Sequence, residues 1–498
     1  MKFPGTYAAY ALIMAIFGQT IVGIHLGLLL VNTATILLIF LLGRRLINSI
    51  AGLAAAMTYA VLSVSPSVFG FAAHATHFVI LPVIGGTLLL LTPVAAVYDR
   101  RNLGPADHRR SSREPAHTAF IERRYSWLFV SGLLFGTGLL MKQPAVFFIL
   151  FGALYLLSND LRRKRGWKRA VLRNLTFDLG AAVPFGIACL FLWRAGVFDK
   201  FWFWTINYAR QYGTLVPLRV AAKLFSETAS EVVGARWALW TLAGLGLVAG
   251  LWDKRMRGGA VFLVGFLAFS LAAFSAGFYF REHYYIFVLP AASLFAGVAI
   301  STLSSLAASH TNLVRFAPLL LSCAALSQPI LAARKFYFKI SPVEASHISY
   351  GGNPFSESVW VAEYVRDHTD ASDTIAVLGS EPQIYFYSHR HSATGYIYTY
   401  ALMEPQSYAR QMQEEMIRQI ESARPKYVIS IGVRSSWLQQ QASERLIFDW
   451  ANDYPEKFYD VVGLVNILSR DHTDYYFDQL PTPIPPLGSN IFIYRRRP

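Results

Sequence analysis

The sequence predicts a polytopic α-helical membrane protein with about ten membrane-embedded helices, two of them short, followed by a C-terminal soluble α/β domain. Three observations predict this fold class. Of the 498 residues, 54% are hydrophobic and 15% are charged, whereas soluble domains carry about 25% charged residues. Long apolar segments alternate with short loops as far as residue 334, and every second loop is rich in arginine and lysine. The sequence beyond residue 334 is polar enough for a water-soluble tail.

Membrane crossings are predicted where an apolar segment approaches the length of about 20 residues that a helix needs to cross the hydrocarbon core. The apolar segment 5–17 cannot extend the first crossing, because a single helix over 5–42 would be about 57 Å long. It is predicted to lie on the outer interface, which places Met1 outside. The predicted crossings are 20–42, 51–66, 78–97, 176–196, 234–252, 259–279, 284–304 and 316–334.

The basic residues assign a side to each loop, because lysine and arginine concentrate in cytoplasmic loops. This rule places 99–125 and 159–175 inside the cell, and 67–77, 197–233 and the tail outside. It predicts a multi-pass protein of the inner or plasma membrane with an extracytoplasmic C-terminal domain. The same loops account for the net charge of +15, so no nucleic-acid partner is predicted.

The segment 127–158 is apolar except for Lys142-Gln143-Pro144 at its centre. Both flanks are basic and therefore predicted to be cytoplasmic, so the chain must cross outward and return. Each arm has about 15 residues and would be about 22 Å long, which is short for a crossing. Lys142 is thus predicted at the tip, near the outer leaflet. It either extends its ammonium group to the interface or contacts the phosphate of a lipid-linked substrate.

Two histidines of the outer loop 67–77 are candidate cavity residues. His74 and His77 are three residues apart and would share one face of a helix. They could bind a divalent cation, although a third ligand is not evident. The alternative is that both side chains line a wet cavity.

The other outer loops supply candidate phosphate-binding residues. Arg210 follows a run of aromatic residues in 197–233, where the rings alone are explained by an interfacial aromatic belt. Arg281, His283 and Tyr284 lie in a tight turn between two crossings. They predict either a contact with phosphate or sugar, or a local ion pair between Arg281 and the adjacent glutamate, with a capping histidine.

The tail is predicted to alternate strands with helices, which indicates an α/β layer with a largely parallel sheet. No glycine-rich phosphate loop follows either predicted central strand, so a nucleotide site is not predicted. The predicted domains are 1–334 in the membrane, a linker 335–354, and 355–498 in water. Predicted helices are 355–368, 405–423 and 442–453, and 381–388 is predicted as a helix or turn; predicted strands are 374–379, 427–432 and 491–495.

This layout resembles the GT-C glycosyltransferases, in particular the RgtA/B/C/D-like and protein O-mannosyltransferase-like (family 39-like) group. The resemblance covers nearly the whole chain. Tyr7 and Gln143 belong to two of the motifs and are candidates for the cavity. The motifs are Lys2-Phe3-Pro4-Gly5-Thr6-Tyr7, similar to the family's K-P-P-G-x-Y stretch, Gly43-Arg44-Arg45-Leu46, Leu140-Met141-Lys142-Gln143-Pro144, and His283-Tyr284-Tyr285 before Leu289-Pro290.

The resemblance implies transfer of a sugar from a polyprenyl-phosphate-linked donor to a protein, lipid or glycan acceptor on the outer face. In the family, an acidic residue upstream of the K-P-P-G-like stretch acts as the base that activates the acceptor. This chain begins within that stretch, so the first transmembrane helix and the acidic loop are expected upstream of Met1. Lys2 would correspond to a lysine near the donor phosphate. A second acidic position of the family is taken by His77, which puts a metal-dependent mechanism in doubt.

Two alternatives share many of these features. A polytopic lipid or glycan transporter, or a flippase, would also have many crossings and buried cations. Such proteins often show internal repeats and acidic residues at mid-membrane, and neither is evident in the predicted crossings. A non-catalytic member that binds polyprenyl lipids would lack the acidic loop.

Overall fold

The computed structural model describes residues 3–95, 114–213, 216–252, 257–308, 312–469 and 472–498. The chain forms two compact units, Met1–Tyr337 and Phe338–Pro498. We call them the membrane unit and the tail unit.

The regular secondary structure described in the membrane unit is helical. Its first seven helices are α1 (Pro4–Phe17), α2 (Ile21–Leu46), α3 (Ser49–Ser63), α4 (Ala75–Ala95), α5 (Glu114–Met141), α6 (Val146–Arg162) and α7 (Trp167–Arg194). The next nine are α8 (Phe198–Trp202), α9 (Tyr208–Tyr212), α10 (Leu218–Gly234), α11 (Trp237–Trp252), α12 (Arg257–Ser275), α13 (Leu289–Ala307), α14 (Asn312–Arg315), α15 (Ala317–Ala332) and α16 (Arg334–Phe338).

Several of these helices are long and apolar enough to span a membrane. Among the described residues five pass on length and composition, and a sixth span results if α10 and α11 count as one broken span, bent by 101°. Shorter apolar helices of 10–17 residues accompany them, including α1, α3 and α15. The protein is therefore a multi-pass membrane protein, and each predicted crossing coincides with a helix.

Two stretches predicted as loops are largely helical. The predicted inner loop 159–175 is mostly occupied by the end of α6 and the start of α7, which leave only 163–166 between them. Charged residues can extend a membrane helix into water, so their presence does not end it. The predicted outer loop 197–233 contains α8, α9 and α10, because a segment between two membrane crossings can itself be helical. Most of the predicted inner loop 99–125 lies outside the described residues.

Helices α5 and α7 pack with their backbones nearly in contact. A Cβ atom added at Gly132 would lie 2.1 Å from the carbonyl oxygen of Phe177, and one added at Gly136 would lie 2.2 Å from that of Ala181. Small residues at such spacing are typical of helix interfaces in membranes. Because the contacts advance together along both helices, α5 and α7 run parallel.

Helix α6 runs in the opposite direction along α7. Gly152 lies against the ring of Phe177, whereas Asp160, further along α6, forms a salt bridge of 2.9 Å with Arg173, nearer the start of α7. The chain therefore reverses between α5 and α6, as the sequence predicted for 127–158. Helix α6 has 17 residues and the apolar part of α5 spans Tyr125–Met141, so both arms exceed the 15 residues expected.

The tail unit is an α/β unit with one mixed sheet. Its strand order is β2-β1-β3-β6-β4-β5. The helices are α17 (Pro342–Tyr350), α18 (Glu357–Asp367), α19 (Gln383–Ser388), α20 (Tyr400–Met403), α21 (Ala409–Ala423), α22 (Arg434–Trp437) and α23 (Leu446–Phe458). The strands are β1 (Thr374–Leu378), β2 (His391–Ser392), β3 (Tyr427–Gly432), β4 (Tyr459–Ile467), β5 (Thr473–Phe477) and β6 (Ser489–Arg496).

The prediction of a largely parallel sheet was wrong. Strand β1 pairs in parallel with β2 and β3, but the pairs β3–β6, β6–β4 and β4–β5 are antiparallel. The predicted strands did not include β4 and β5, which form a hairpin and need no crossover helix. Buried aliphatic side chains of β1, β3 and β6 form the core with α18, for example Ile375, Ile429 and Ile493.

Candidate functional site

The candidate site is built around Lys142, at the reversal between α5 and α6. Helix α5 ends at Met141, Lys142 is extended with φ −160° and ψ 136°, and a 3₁₀ turn spans Gln143–Ala145. Pro144 fits this first turn because its missing amide hydrogen would have no helical partner there. The break thus fixes Lys142 at the tip of the α5–α6 hairpin, and Gln143 is half-buried in the same turn.

The ammonium group of Lys142 lies over two aromatic rings. Its Nζ atom is 3.8 Å from the ring centroid of Tyr284 and 5.8 Å from that of Phe287. Both rings belong to the 3₁₀ helix Glu282–Phe287, in which residues three apart are eclipsed and form one ridge. This cation–π contact holds the cation against the loop that precedes α13.

A third loop joins the site through a pair of histidines. The rings of His74 and His283 are stacked, with centroids 4.1 Å apart and planes at 12°. His283 also meets Tyr284 edge to face at 4.7 Å. The structure therefore brings together four predicted site residues from three separate segments: Lys142, His74, His283 and Tyr284.

Helix α1 closes the cluster by binding two of these segments. The hydroxyl of Thr6 donates to the carbonyl of Met141 at 2.6 Å, and Gly5 lies so close that an added Cβ would be 2.7 Å from the carbonyl oxygen of Leu140. The hydroxyl of Tyr10 donates to the carbonyl of Ala73, next to His74. Sequence reasoning missed Thr6 and Tyr10, because such side-chain to backbone contacts between remote segments leave no local pattern.

Tyr7 is 59% exposed on α1, and no described contact brings it to Lys142. Arg281 lies with its guanidinium carbon 5.4 Å from the ring of Tyr279, and Arg210 is exposed on α9. Neither arginine is shown in contact with the Lys142 cluster. Lys2 lies outside the described residues.

His77 does not share the surroundings of His74. It lies in the first turn of α4, is 1% exposed, and its Nδ1 atom is 3.0 Å from the side-chain oxygen of Asn32 on α2. No group of three or more His, Cys, Asp or Glu that could hold a metal ion occurs among the described residues. The rings of the two histidines therefore have different described partners, His283 for His74 and Asn32 for His77.

The geometry of the cluster suits an anion. An ammonium group and two imidazoles converge there from three segments. Such preorganised cations and hydrogen-bond donors stabilise a phosphate that gains charge as a leaving group. Glu282 precedes His283 in the sequence, but in the 3₁₀ helix it lies on the same ridge as Tyr285 and not on that of Tyr284.

Solved structures with this architecture are found among GT-C glycosyltransferases. The archaeal oligosaccharyltransferase AglB from Archaeoglobus fulgidus, in complex with an inhibitory peptide and a dolichol-phosphate, aligns with 96% of this chain at 14% identity and a TM-score of 0.53. The alignment covers 66% of AglB, so this chain spans just under two thirds of that protein's length.

ArnT from Cupriavidus metallidurans, in a structure bound to undecaprenyl phosphate, aligns with 99% of this chain at 12% identity and a TM-score of 0.59. The alignment covers 87% of ArnT. No protein-family model and no curated protein matches the sequence. The structural similarity shows that the chain has a GT-C-like fold, as its motifs predicted.

Proposed function

We propose that this protein transfers a sugar from a polyprenyl-phosphate-linked donor to an acceptor on the extracytoplasmic face of the membrane. The observation that carries the proposal is the position of Lys142, at the break of the α5–α6 hairpin and 3.8 Å from the ring of Tyr284. Its surroundings in the GT-C-like fold support it, because AglB and ArnT structures hold dolichol-phosphate and undecaprenyl phosphate.

In the proposed reaction the bond between the anomeric carbon and the phosphate oxygen breaks, and the polyprenyl phosphate leaves with the bonding electron pair. A new bond forms between the anomeric carbon and the acceptor atom, which loses its proton to a base. The ammonium group of Lys142 would stabilise the charge that develops on the phosphate, and the histidine pair would orient it. The resemblance assigns the base to an acidic residue, and this assignment remains a prediction.

We also propose in which membrane the protein lies and which of its parts face the extracytoplasmic side. Loop charge supports an inner or plasma membrane location with the tail unit and the Lys142 cluster extracytoplasmic. The acceptor is then a protein, lipid or glycan that reaches the outer face. No divalent cation is assigned a role in this proposal.

The test is release of polyprenyl phosphate from a donor with a labelled lipid, in membranes containing this protein. Lys142→Ala should reduce release at least about a hundredfold, the usual effect of removing one preorganised stabilising group. Lys200→Ala is the matched control, since Lys200 is an exposed lysine on α8, and it should leave release unchanged. Equal release in the wild type and Lys142→Ala would remove the proposed role, and binding without turnover would favour a non-catalytic lipid-binding protein.

A further inference from the structure

The tail unit contains a cleft whose lining residues do not belong to the Lys142 cluster. Its volume is about 660 Å³, within the range of about 300–1,000 Å³ typical of ligand sites. It lies between α17, α18 and the start of β5. Three carboxylates line it, Glu344 from α17 and Glu357 and Glu363 from α18.

Two aromatic rings form an open wall of this cleft. Trp360 and Tyr475 lie with ring centroids 6.1 Å apart and planes at 58°, and they are 57% and 37% exposed. Glu357, Trp360 and Glu363 follow one another at intervals of three along α18, so they project from neighbouring turns. The cleft therefore presents carboxylates beside accessible ring faces.

Glu357 is the fixed part of this arrangement. It is 4% exposed, accepts a hydrogen bond of 2.9 Å from the hydroxyl of Ser356 and one of 3.3 Å from that of Thr473. The Nε2 atom of His347 lies 3.7 Å from Oε1 of Glu357, the oxygen that also accepts from Thr473. These contacts hold the carboxylate in the cleft wall without a lysine or arginine.

The charge of the cleft is opposite to that of the whole chain. Its lining contains no lysine or arginine, although the chain has a net charge of +15. Among the ion pairs of the described residues, none involves Glu344 or Glu363. Three carboxylates in one cleft, without a neighbouring fixed cation, attract a cationic ligand.

We propose that this cleft binds a primary ammonium group, as carried by a lysine side chain of a partner polypeptide. Carboxylates accept strong charge-assisted hydrogen bonds from an ammonium group, and the faces of Trp360 and Tyr475 attract a cation within about 6 Å. The apolar stem of a lysine side chain would pack on the same rings. This binding is independent of the transfer reaction.

In the experiment, calorimetry at low and at high salt measures how the full chain in detergent binds a hexapeptide with blocked termini, one central lysine and no other charged residue. The comparison peptide is identical but acetylated at the lysine Nε, which removes the charge and keeps the stem. We expect saturable binding that weakens at least about tenfold on acetylation and weakens further at high salt. Because this comparison uses the unaltered protein, it does not depend on any variant folding.

The double change Glu344→Gln and Glu363→Gln should weaken binding of the lysine peptide by about tenfold or more. Asp449→Asn is the matched control, since Asp449 is an exposed carboxylate on α23 outside the cleft, and it should bind as the wild type does. A titration with butylamine shows whether the ammonium group comes from a polypeptide or from a small amine. If butylamine binds more weakly than the lysine peptide, the ligand is a polypeptide; if it binds equally well, the ligand is a small amine. Equal affinity for acetylated and unmodified peptide, or no saturable binding of either, would overturn the proposal.

Discussion

Both units bury large side chains, such as Phe135 in the membrane unit and Ile429 in the tail unit, but they differ in how closely their backbones pack and in what their surfaces expose. In the membrane unit, helices α5 and α7 touch through glycines, while large apolar side chains such as Phe191 point outward, at 70% exposure. In the tail unit, large side chains such as Ile429 and Ile493 are fully buried between strands and helices. In lipid, apolar side chains gain little by leaving their solvent, so close backbone packing stabilises the helix pair. In water, burial of the same side chains stabilises the sheet.

The largest expected effect breaks the glycine contact of the membrane unit. A Cβ atom at Gly180 would lie 2.2 Å from the carbonyl oxygen of Phe129, a backbone atom that cannot move alone. Gly180→Leu should therefore prevent α5 and α7 from packing and leave little folded protein after extraction in detergent. Gly186→Leu on the same helix is the control, because nothing lies within 4 Å of its added Cβ. Comparable folded yields for both variants would contradict this packing.

The next largest effect is expected from loss of an ion pair, whose contribution to stability differs between the two units. Asp160 is fully buried and bridges Arg173 at 2.9 Å and Arg165 at 3.0 Å. Asp160→Asn should destabilise the protein by about 3–5 kcal/mol, because it leaves the cation of Arg173 buried without its counter-charge. Thermal unfolding in detergent measures the shift, and a combined Asp160→Leu and Arg173→Met variant should recover much of it.

The control is the tail pair of Lys426 and Asp373, 2.8 Å apart with side chains 39% and 25% exposed. Lys426→Met should cost no more than about 1 kcal/mol, since water screens such a pair. A larger effect for Lys426→Met than for Asp160→Asn would refute the contrast between the two units.

The smaller effect lies in the tail unit and depends on pH. Burial raises the pKa of Glu381 to about 7 from its ordinary value of 4.5, although a hydrogen bond from Gln383 opposes the shift. The folded tail therefore favours the protonated carboxyl group. The stability that this group contributes is fully present below pH 4.5 and is lost as the pH rises toward 7, by about 3 kcal/mol in total.

Measurement of the unfolding temperature of the full chain between pH 4.5 and 8 tests this prediction. Glu381→Gln should flatten that dependence, because the amide cannot ionise. An unchanged pH dependence in Glu381→Gln would show that another group titrates.

The difference between the membrane unit and the tail unit also explains which elements could be predicted from the sequence. Hydropathy and loop charge located the membrane helices and the reversal at Lys142, because lipid imposes length and sidedness on every helix. They could not pair His74 with His283, or Thr6 with Met141, because these contacts join segments far apart in sequence. In the tail, β1 and β3 are short buried runs and were predicted at nearly their observed bounds. Strands β4 and β5 were missed, and so was the antiparallel half of the sheet.

The same limit applies to the candidate site. Lys142, His283 and Tyr284 could be proposed because each interrupts or borders an apolar segment. The sequence also proposed Arg210 and Arg281, which the structure does not show in contact with the cluster. Loop charge predicts on which side of the membrane a residue lies. Which residues come into contact on that side depends on how the helices pack.

The most direct test of the Lys142 cluster measures how the purified protein binds undecaprenyl phosphate and undecaprenol, which differ only in the phosphate. The wild type should bind the phosphate form at least about tenfold more tightly, because a single charge-assisted contact with a cation accounts for about 1.5–3 kcal/mol. Lys142→Ala should lose most of this preference and keep its affinity for undecaprenol. The same preference for the phosphate form in Lys142→Ala as in the wild type would contradict a phosphate site at Lys142.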